Sequence, residues 1–203
     1  MSVEKTVYYI DDEEASAYSM HELLGEFSKK GYDVEFLHLK GTEEEFLREL
    51  EEKNGVGIIL DYELSESGIY ADATELWKKI KRQNPTYPLC IYTSHIDDVR
   101  ISSDVEKSFP KDDKIAFEVI EEMLEYMDNQ IQQGLQNINT LERVNKGLKT
   151  DGSFSIEVMN NEIDIENQFS ISQKSRVESD NNTKLNELIE KAYNIIDSYT
   201  DKI

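Results

Sequence analysis

Polar and apolar positions change their period repeatedly along the chain. "TVYYI", Thr6 to Ile10, is a short run of β-forming residues and predicts a strand ending at "DDEE", Asp11 to Glu14. In "ASAYSMHELLGEFSKKG" the apolar residues Tyr18, Leu23, Leu24 and Phe27 fall near helical spacing, with Gly31 as the stop. The alternating "YDVEFLHL" predicts a second strand. "TEEEFLRELEEKNG" predicts a helix between a Thr cap and Gly55, and "VGIIL" a third strand. A third helix, "ADATELWKKIKRQNP", carries Trp77 into the core and stops at Pro85. "LCIYTS", Leu89 to Ser94, is the fourth strand, "DVEKSF" a weak fifth leading to "PKDD", and "KIAFEVIEEMLEYM" begins another helix.

Apolar strands separated by amphipathic helices predict an α/β fold, a doubly wound parallel five-stranded sheet covered on both faces, over residues 1–128. In such sheets ligands bind beyond the carboxyl ends of the strands. Past the sheet, Ile120, Leu124, Met127, Ile131, Leu135, Ile138, Leu141, Val144 and Leu148 continue at steps of three and four. They predict a helical or coiled-coil seam within an extension over residues 129–203, weakened at Gly134 and Gly147. "FSIEVMNNEIDI" alternates about Asn160 and Asn161, which fits a small hairpin near 154–165 or an irregular segment. "QKSRVESDNNTK" is polar and reads as a loop, and Leu185 to Tyr199 form a last amphipathic stripe. The seam needs cover from that stripe, from a second copy of the chain in a homodimer, or from another protein.

The 203 residues carry a net charge of −21, of which 1–128 contribute −17 from 14 Lys/Arg against 31 Asp/Glu. So acidic a surface repels phosphate backbones, which argues against nucleic acid as a partner and suits a protein with a basic surface. No run approaches the length of a membrane span, and "MSVEKTVYY" lacks the basic-then-apolar pattern of a signal peptide. The lone cysteine, Cys90, has no disulfide partner in its own chain. The expected location is cytoplasmic.

Candidate chemistry gathers at the strand ends. Asp11 and Asp12 follow the first strand, Asp61 the third, Thr93 and Ser94 close the fourth, and Lys111 follows the fifth. Three carboxylates in one place repel unless a cation lies among them, and hard oxygen donors suit Mg²⁺ better than zinc. With Thr93 and Lys111 placed to hold phosphoryl oxygens, one carboxylate can attack phosphorus and form an acyl phosphate.

In "YYIDDEE", "IILDYEL", "IYTSH" and "FPKDD", taken in that order and each at a strand end, the chain from about Lys5 to Met127 resembles the receiver domain of two-component response regulators. The resemblance implies a flavodoxin-type sheet. It implies Asp61 as phosphoacceptor, Asp11 and Asp12 as the acidic pair binding Mg²⁺, and the backbone carbonyl of Glu63 as a further ligand. Thr93 would be the switch hydroxyl and Lys111 the phosphate-binding lysine. The chain departs from the pattern at Ser65, where receivers usually carry proline, and at Asp112, which follows the lysine in place of proline. The usual switch-aromatic position is Ser108, with Phe109 beside it, and the span from Thr93 to Lys111 is short, which predicts a stunted fourth helix. Lys107 is a rival for the lysine role, but choosing it would shorten that span further.

These residues lead to the expectation of a phosphoacceptor signalling module rather than a dedicated enzyme. An upstream histidine kinase or a small phosphodonor would modify it, and its extension would regulate a protein partner. The alternative is a scaffold subunit that keeps the fold without using phosphorylation. A third class, a Mg²⁺-dependent hydrolase, would need Glu63 or His95 as acid or base.

Overall fold

The computed structural model describes residues 5–18, 20–101, 105, 107–111, 116–150 and 154–177. Five strands form one parallel sheet: β1 Thr6–Asp11, β2 Asp33–His38, β3 Gly57–Leu60, β4 Leu89–Thr93 and β5 Ser108–Pro110. Their order is β2-β1-β3-β4-β5. This is the flavodoxin-type doubly wound order, whose direction reverses between β1 and β3, where the crevice for ligands opens. Helices α1 His21–Lys29, α2 Glu43–Lys53, α3 Ala73–Gln83, α4 Ile96–Ile101 and α5 Ala116–Leu148 connect and cover the strands, and α6 Ser155–Asn167 follows.

Local chemistry explains these elements. The Thr42 hydroxyl accepts the Glu45 N–H while the Glu45 carboxylate accepts the Thr42 N–H, a reciprocal cap that starts α2. Asn54, with φ of 49°, ends α2 in the left-handed conformation just before the expected stop at Gly55. Asp72 caps α3 by accepting the Thr74 N–H at 2.7 Å. The expected first helix divides into a 3-10 turn, Glu14–Tyr18, and then α1. The fifth strand is shorter and later than "DVEKSF" suggests. Only Phe109 there offers a large buried side chain, and Pro110, which has no N–H for a ladder, fits at the end of an edge strand. The described part of α4 is six residues, Ile96–Ile101.

Because side chains alternate along each strand, the sheet makes two cores. Val7, Tyr9, Ile59, Cys90, Tyr92 and Phe109 face α1 and α5. Tyr8, Ile10, Ile58, Leu60, Leu89 and Ile91 face the side of α2 and α3, where Trp77 is buried.

Helix α5 has 33 residues, about 50 Å of continuous rod, and residue 128 falls in its middle. Its buried stripe passes without a break from Val119, Met123 and Met127 to Ile131 and Ile138, all within one apolar cluster. The segment expected as a hairpin near 154–165 is instead α6, packed on α5. The sequence there satisfies both periods. Val158, Asn161 and Ile165 are spaced as one helix face, and the presence of α5 selects helix. Asn145 is buried at the contact, donating to the Val158 carbonyl at 3.3 Å and accepting from the Asn161 amide at 2.8 Å. Gly134 is the point of closest approach. A Cβ there would lie 2.6 Å from the Phe169 ring, so the glycine that lowers helix propensity makes room for the returning chain. The stripe from Leu185 to Tyr199 lies outside the described residues.

Two polar clamps fasten this unit to the sheet. The buried Asn84 amide, in the connection before β4, donates to the carbonyls of Asn167 at 3.2 Å, Gln168 at 3.4 Å and Ser170 at 2.9 Å. Beyond them Phe169 joins one core and Ile171 the other. Asp128 on α5 accepts from the Tyr32 hydroxyl at 2.6 Å and from the Gln132 amide at 3.2 Å, with Lys30 at 3.5 Å. Partial burial acts to raise the Asp128 carboxyl, but these donors outweigh it and hold its pKa below the ordinary value of 3.8.

Two outcomes follow for stability. Replacing Asn84 by Ala leaves three carbonyls without their donor and should lower unfolding free energy by about 2–3 kcal/mol, measured by urea unfolding. The depressed Asp128 pKa contributes stability in full above the unfolded value, and this is lost as pH falls through the lower folded value. Asp128→Asn should therefore melt below wild type at pH 7, and the gap should close as pH drops below 3.8, read by thermal melts across pH.

Candidate functional site

The switch point of the sheet carries a cavity of about 240 Å³ lined by Asp11, Asp12, Glu13, Ser16, Asp61, Glu63, Glu66, Ser94, His95 and Lys111. The parallel register brings these residues together. Ile10 pairs with Leu60, the Asp61 N–H donates to the Ile10 carbonyl at 2.9 Å, and the Lys111 N–H donates to the Thr93 carbonyl at 2.7 Å. Three loops that are distant in sequence thus leave the sheet at one level.

Lys111 donates to Asp61 Oδ1 at 2.5 Å and to the Tyr9 hydroxyl at 2.7 Å. The Tyr9 hydroxyl in turn donates to Asp11 Oδ2 at 3.0 Å, and Asp11 Oδ1 accepts the Glu13 N–H at 2.9 Å. Asp61 Oδ2 accepts the Glu63 N–H at 3.2 Å. Asp12 Oδ2 accepts the Ser67 N–H at 2.8 Å, and its carbonyl oxygen lies 2.9 Å from the His38 ring. The Lys111 ammonium also lies between two aromatic rings, 5.4 Å from Tyr9 and 5.5 Å from Tyr92. Burial raises the Asp61 carboxyl above its ordinary pKa, against the downward pull of the Lys111 charge. Burial, then the negative charges of Asp61 and Asp11, push the Tyr9 hydroxyl far above the ordinary phenol value.

Asp11, Asp12, Asp61, Glu63 and Lys111 share the cavity wall; Thr93 does not. It is fully buried, its hydroxyl accepts the His95 N–H at 3.0 Å, and its neighbour Ser94 reaches the cavity, as does Ser16. His95 Nε2 lies 3.1 Å from a Glu63 carboxylate oxygen on the rim. Lys107 is turned away, bound to Glu122 at 2.8 Å. Phe109 faces inward, its ring 6.1 Å from that of Tyr126, and Ser108 takes the ladder position opposite Ile91. Sequence reasoning missed Tyr9. The signal was available: on a strand, residues i and i+2 share a face, so Tyr9 and Asp11 had to lie on the same side.

The donor set is chemically suited to a hard cation, since carboxylate oxygens predominate and no thiolate is near. Each oxygen of Asp11 and Asp61 already accepts one hydrogen bond, so an ion binding there competes with the donors in place. As they stand, no three His, Cys, Asp or Glu side chains among the described residues are grouped closely enough to hold a metal.

No family model matches the chain, and no curated protein does. Among solved structures it is similar to a sensor protein from Polaromonas sp., at 11% identity and TM-score 0.45, over 61% of this chain and 98% of that one. It is similar to NtrX from Brucella abortus at 18% identity and TM-score 0.45, over 70% of this chain. A constitutive lysine decarboxylase from E. coli follows at 15% and 0.41, again over 70%. The chain spans 34% of the NtrX chain and 20% of the decarboxylase chain. Among the described residues no helix is long and apolar enough to cross a membrane.

The Lys111–Asp61 pair yields a stability prediction. Asp61 is 13% exposed and Lys111 27%. Lys111→Met leaves a mostly buried carboxylate without its counter-charge beside Asp11, and should cost about 2–4 kcal/mol at pH 7, somewhat less than for a fully buried pair. Part of the loss should return at a lower pH, because burial already raises the Asp61 carboxyl and Lys111 would no longer oppose it. Urea unfolding at the two pH values measures both.

Proposed function

We propose that the chain is a phosphoacceptor module of the receiver type, in which Asp61 takes a phosphoryl group from an upstream histidine kinase or a small phosphodonor. The observation that carries this reading is the position of Asp61: at the carboxyl end of the central strand β3, bound to Lys111 at 2.5 Å, in the same cavity as Asp11 and Asp12. In the step, an Asp61 oxygen attacks phosphorus and a P–O bond forms, while the donor's bond to phosphorus breaks with its electron pair: the P–N bond of a phosphohistidine, leaving on the imidazole nitrogen, or the P–O bond of a small phosphodonor, leaving on its oxygen. With acetyl phosphate the products are an aspartyl phosphate and acetate. Asp11, Asp12 and Asp61, with the Glu63 carbonyl, would hold Mg²⁺, which supplies positive charge for the phosphoryl oxygens when bound. Lys111 leaves the Asp61 carboxylate to hold the transferred group. Ser94, which lines the cavity, is the hydroxyl assigned to meet it in this reading, in place of the buried Thr93.

The module acts on a protein partner in the cytoplasm. The continuous α5 and the clamped α6 offer that partner a rigid surface joined to the sheet.

A scaffold role that does not use phosphorylation is the second reading, favoured by the aromatic side chain. Phe109 is buried against Tyr126, so no ring at the β5 position is free to follow a hydroxyl toward the phosphorylated site.

Incubation with acetyl phosphate and Mg²⁺ should add one base-labile phosphoryl group to the intact chain, read by mass spectrometry. Asp61→Asn should abolish it and Asp12→Ala should reduce it at least tenfold, about 1.4 kcal/mol in barrier. A wild-type chain that remains unmodified and also fails to bind beryllofluoride with Mg²⁺ leaves the scaffold reading in its place.

A further inference from the structure

The phosphoacceptor reading uses Asp11, Asp12, Asp61 and Lys111, but not the side chain that joins them. Tyr9 is 1% exposed, and its hydroxyl sits between Lys111 at 2.7 Å and Asp11 at 3.0 Å. A phenol has a single proton to donate. Lys111 can only donate, so the Tyr9 proton goes to Asp11 and its lone pair takes the ammonium. The direction of the chain is therefore settled: Lys111 to Tyr9 to Asp11.

Two consequences follow at the cavity. Lys111 is held by a second acceptor and two flanking rings in the position that pairs it with Asp61. Both oxygens of Asp11 are engaged, one by Tyr9 and one by the Glu13 N–H. A cation that recruits Asp11 must compete with a buried, charge-assisted hydrogen bond.

We propose that Tyr9 is a positioning residue that holds the resting site closed to divalent cations, so that its hydroxyl sets the Mg²⁺ concentration at which Asp61 becomes reactive. The proposal rests on the receiver-type reading of the site. It adds a threshold. The Lys111 charge partly offsets the carboxylates of the rest state, on Asp61 directly and on Asp11 through Tyr9, and the metal enters by displacing the hydroxyl from Asp11.

The test is Mg²⁺ binding to the full chain by titration calorimetry, without phosphodonor, at fixed ionic strength and pH. Tyr9→Phe removes one oxygen and retains the ring. It should bind Mg²⁺ roughly tenfold more tightly than wild type, as the loss of one hydrogen bond to a charged group implies. The Mg²⁺ concentration for half-maximal modification of Asp61 should fall in parallel. In an Asp11→Asn background the same substitution should change Mg²⁺ affinity less than twofold, because the effect passes through Asp11. A merely structural tyrosine would lower the melting temperature without tightening metal binding.

Wild type that binds Mg²⁺, together with a folded Tyr9→Phe that binds it equally or more weakly, overturns the role of Tyr9 and leaves the phosphoacceptor reading intact. So does equal tightening in the Asp11→Asn background. If Tyr9→Phe does not fold, Tyr9→Leu takes its place with the same expected direction. Failure of both wild type and variant to bind Mg²⁺ overturns the phosphoacceptor reading and this inference together.

Discussion

A parallel sheet collects at one edge everything its strands end with. Here that edge receives Asp11, Asp12 and Asp61, and the ammonium of Lys111 lies among them, on Asp61 directly and on Asp11 through Tyr9. Without that cation the switch point would hold buried carboxylates with like charges as neighbours. Lys111 depends in turn on β5, an edge strand of three residues whose last N–H contact to the sheet is Lys111's own, to the Thr93 carbonyl. The weakest strand of the sheet thus carries the residue that its most charged region requires.

Much of this was legible in the chain itself. Apolar runs ending in Asp11, Asp61 and Thr93 located β1, β3 and β4 because a buried strand and its exit are both written in side-chain polarity. β5 was less legible. "DVEKSF" mixes charge with apolar residues, and only the pairing of Phe109 with Tyr92 decides where the ladder runs. The side-chain order along β4 was harder still: Thr93 and Ser94 are adjacent, and the pleat sends the first inward and the second to the cavity. Tyr9 was hidden by being ordinary, a β-forming aromatic in a β-strand, until its hydroxyl met Asp11 on its own strand and Lys111 after β5.

The segment near 154–165, within an extension correctly read as helical, was misread for a physical reason. "FSIEVMNNEIDI" holds apolar residues two apart and also three and four apart, and no local rule chooses between them. The choice is made by α5, which offers Ile138 and Asn145 to a helix and would offer a hairpin no edge to pair with. Asn84 likewise carries no local mark of its role. It ends α3 in sequence, and only the return of a distant segment gives its amide three carbonyls to bind.

That last clamp has a consequence for how the chain is made. Asn84 and its first partner, Asn167, are separated by 83 residues. On the ribosome all five strands are synthesised before residue 167, and at about 5–20 residues per second the buried amide waits several seconds for its acceptors. During that interval the sheet exists with an open underside, where Phe169 and Ile171 have yet to arrive. A nascent chain of this protein therefore leaves uncovered, beneath a nearly finished domain, the apolar surface that Phe169 and Ile171 cover once α6 has turned back.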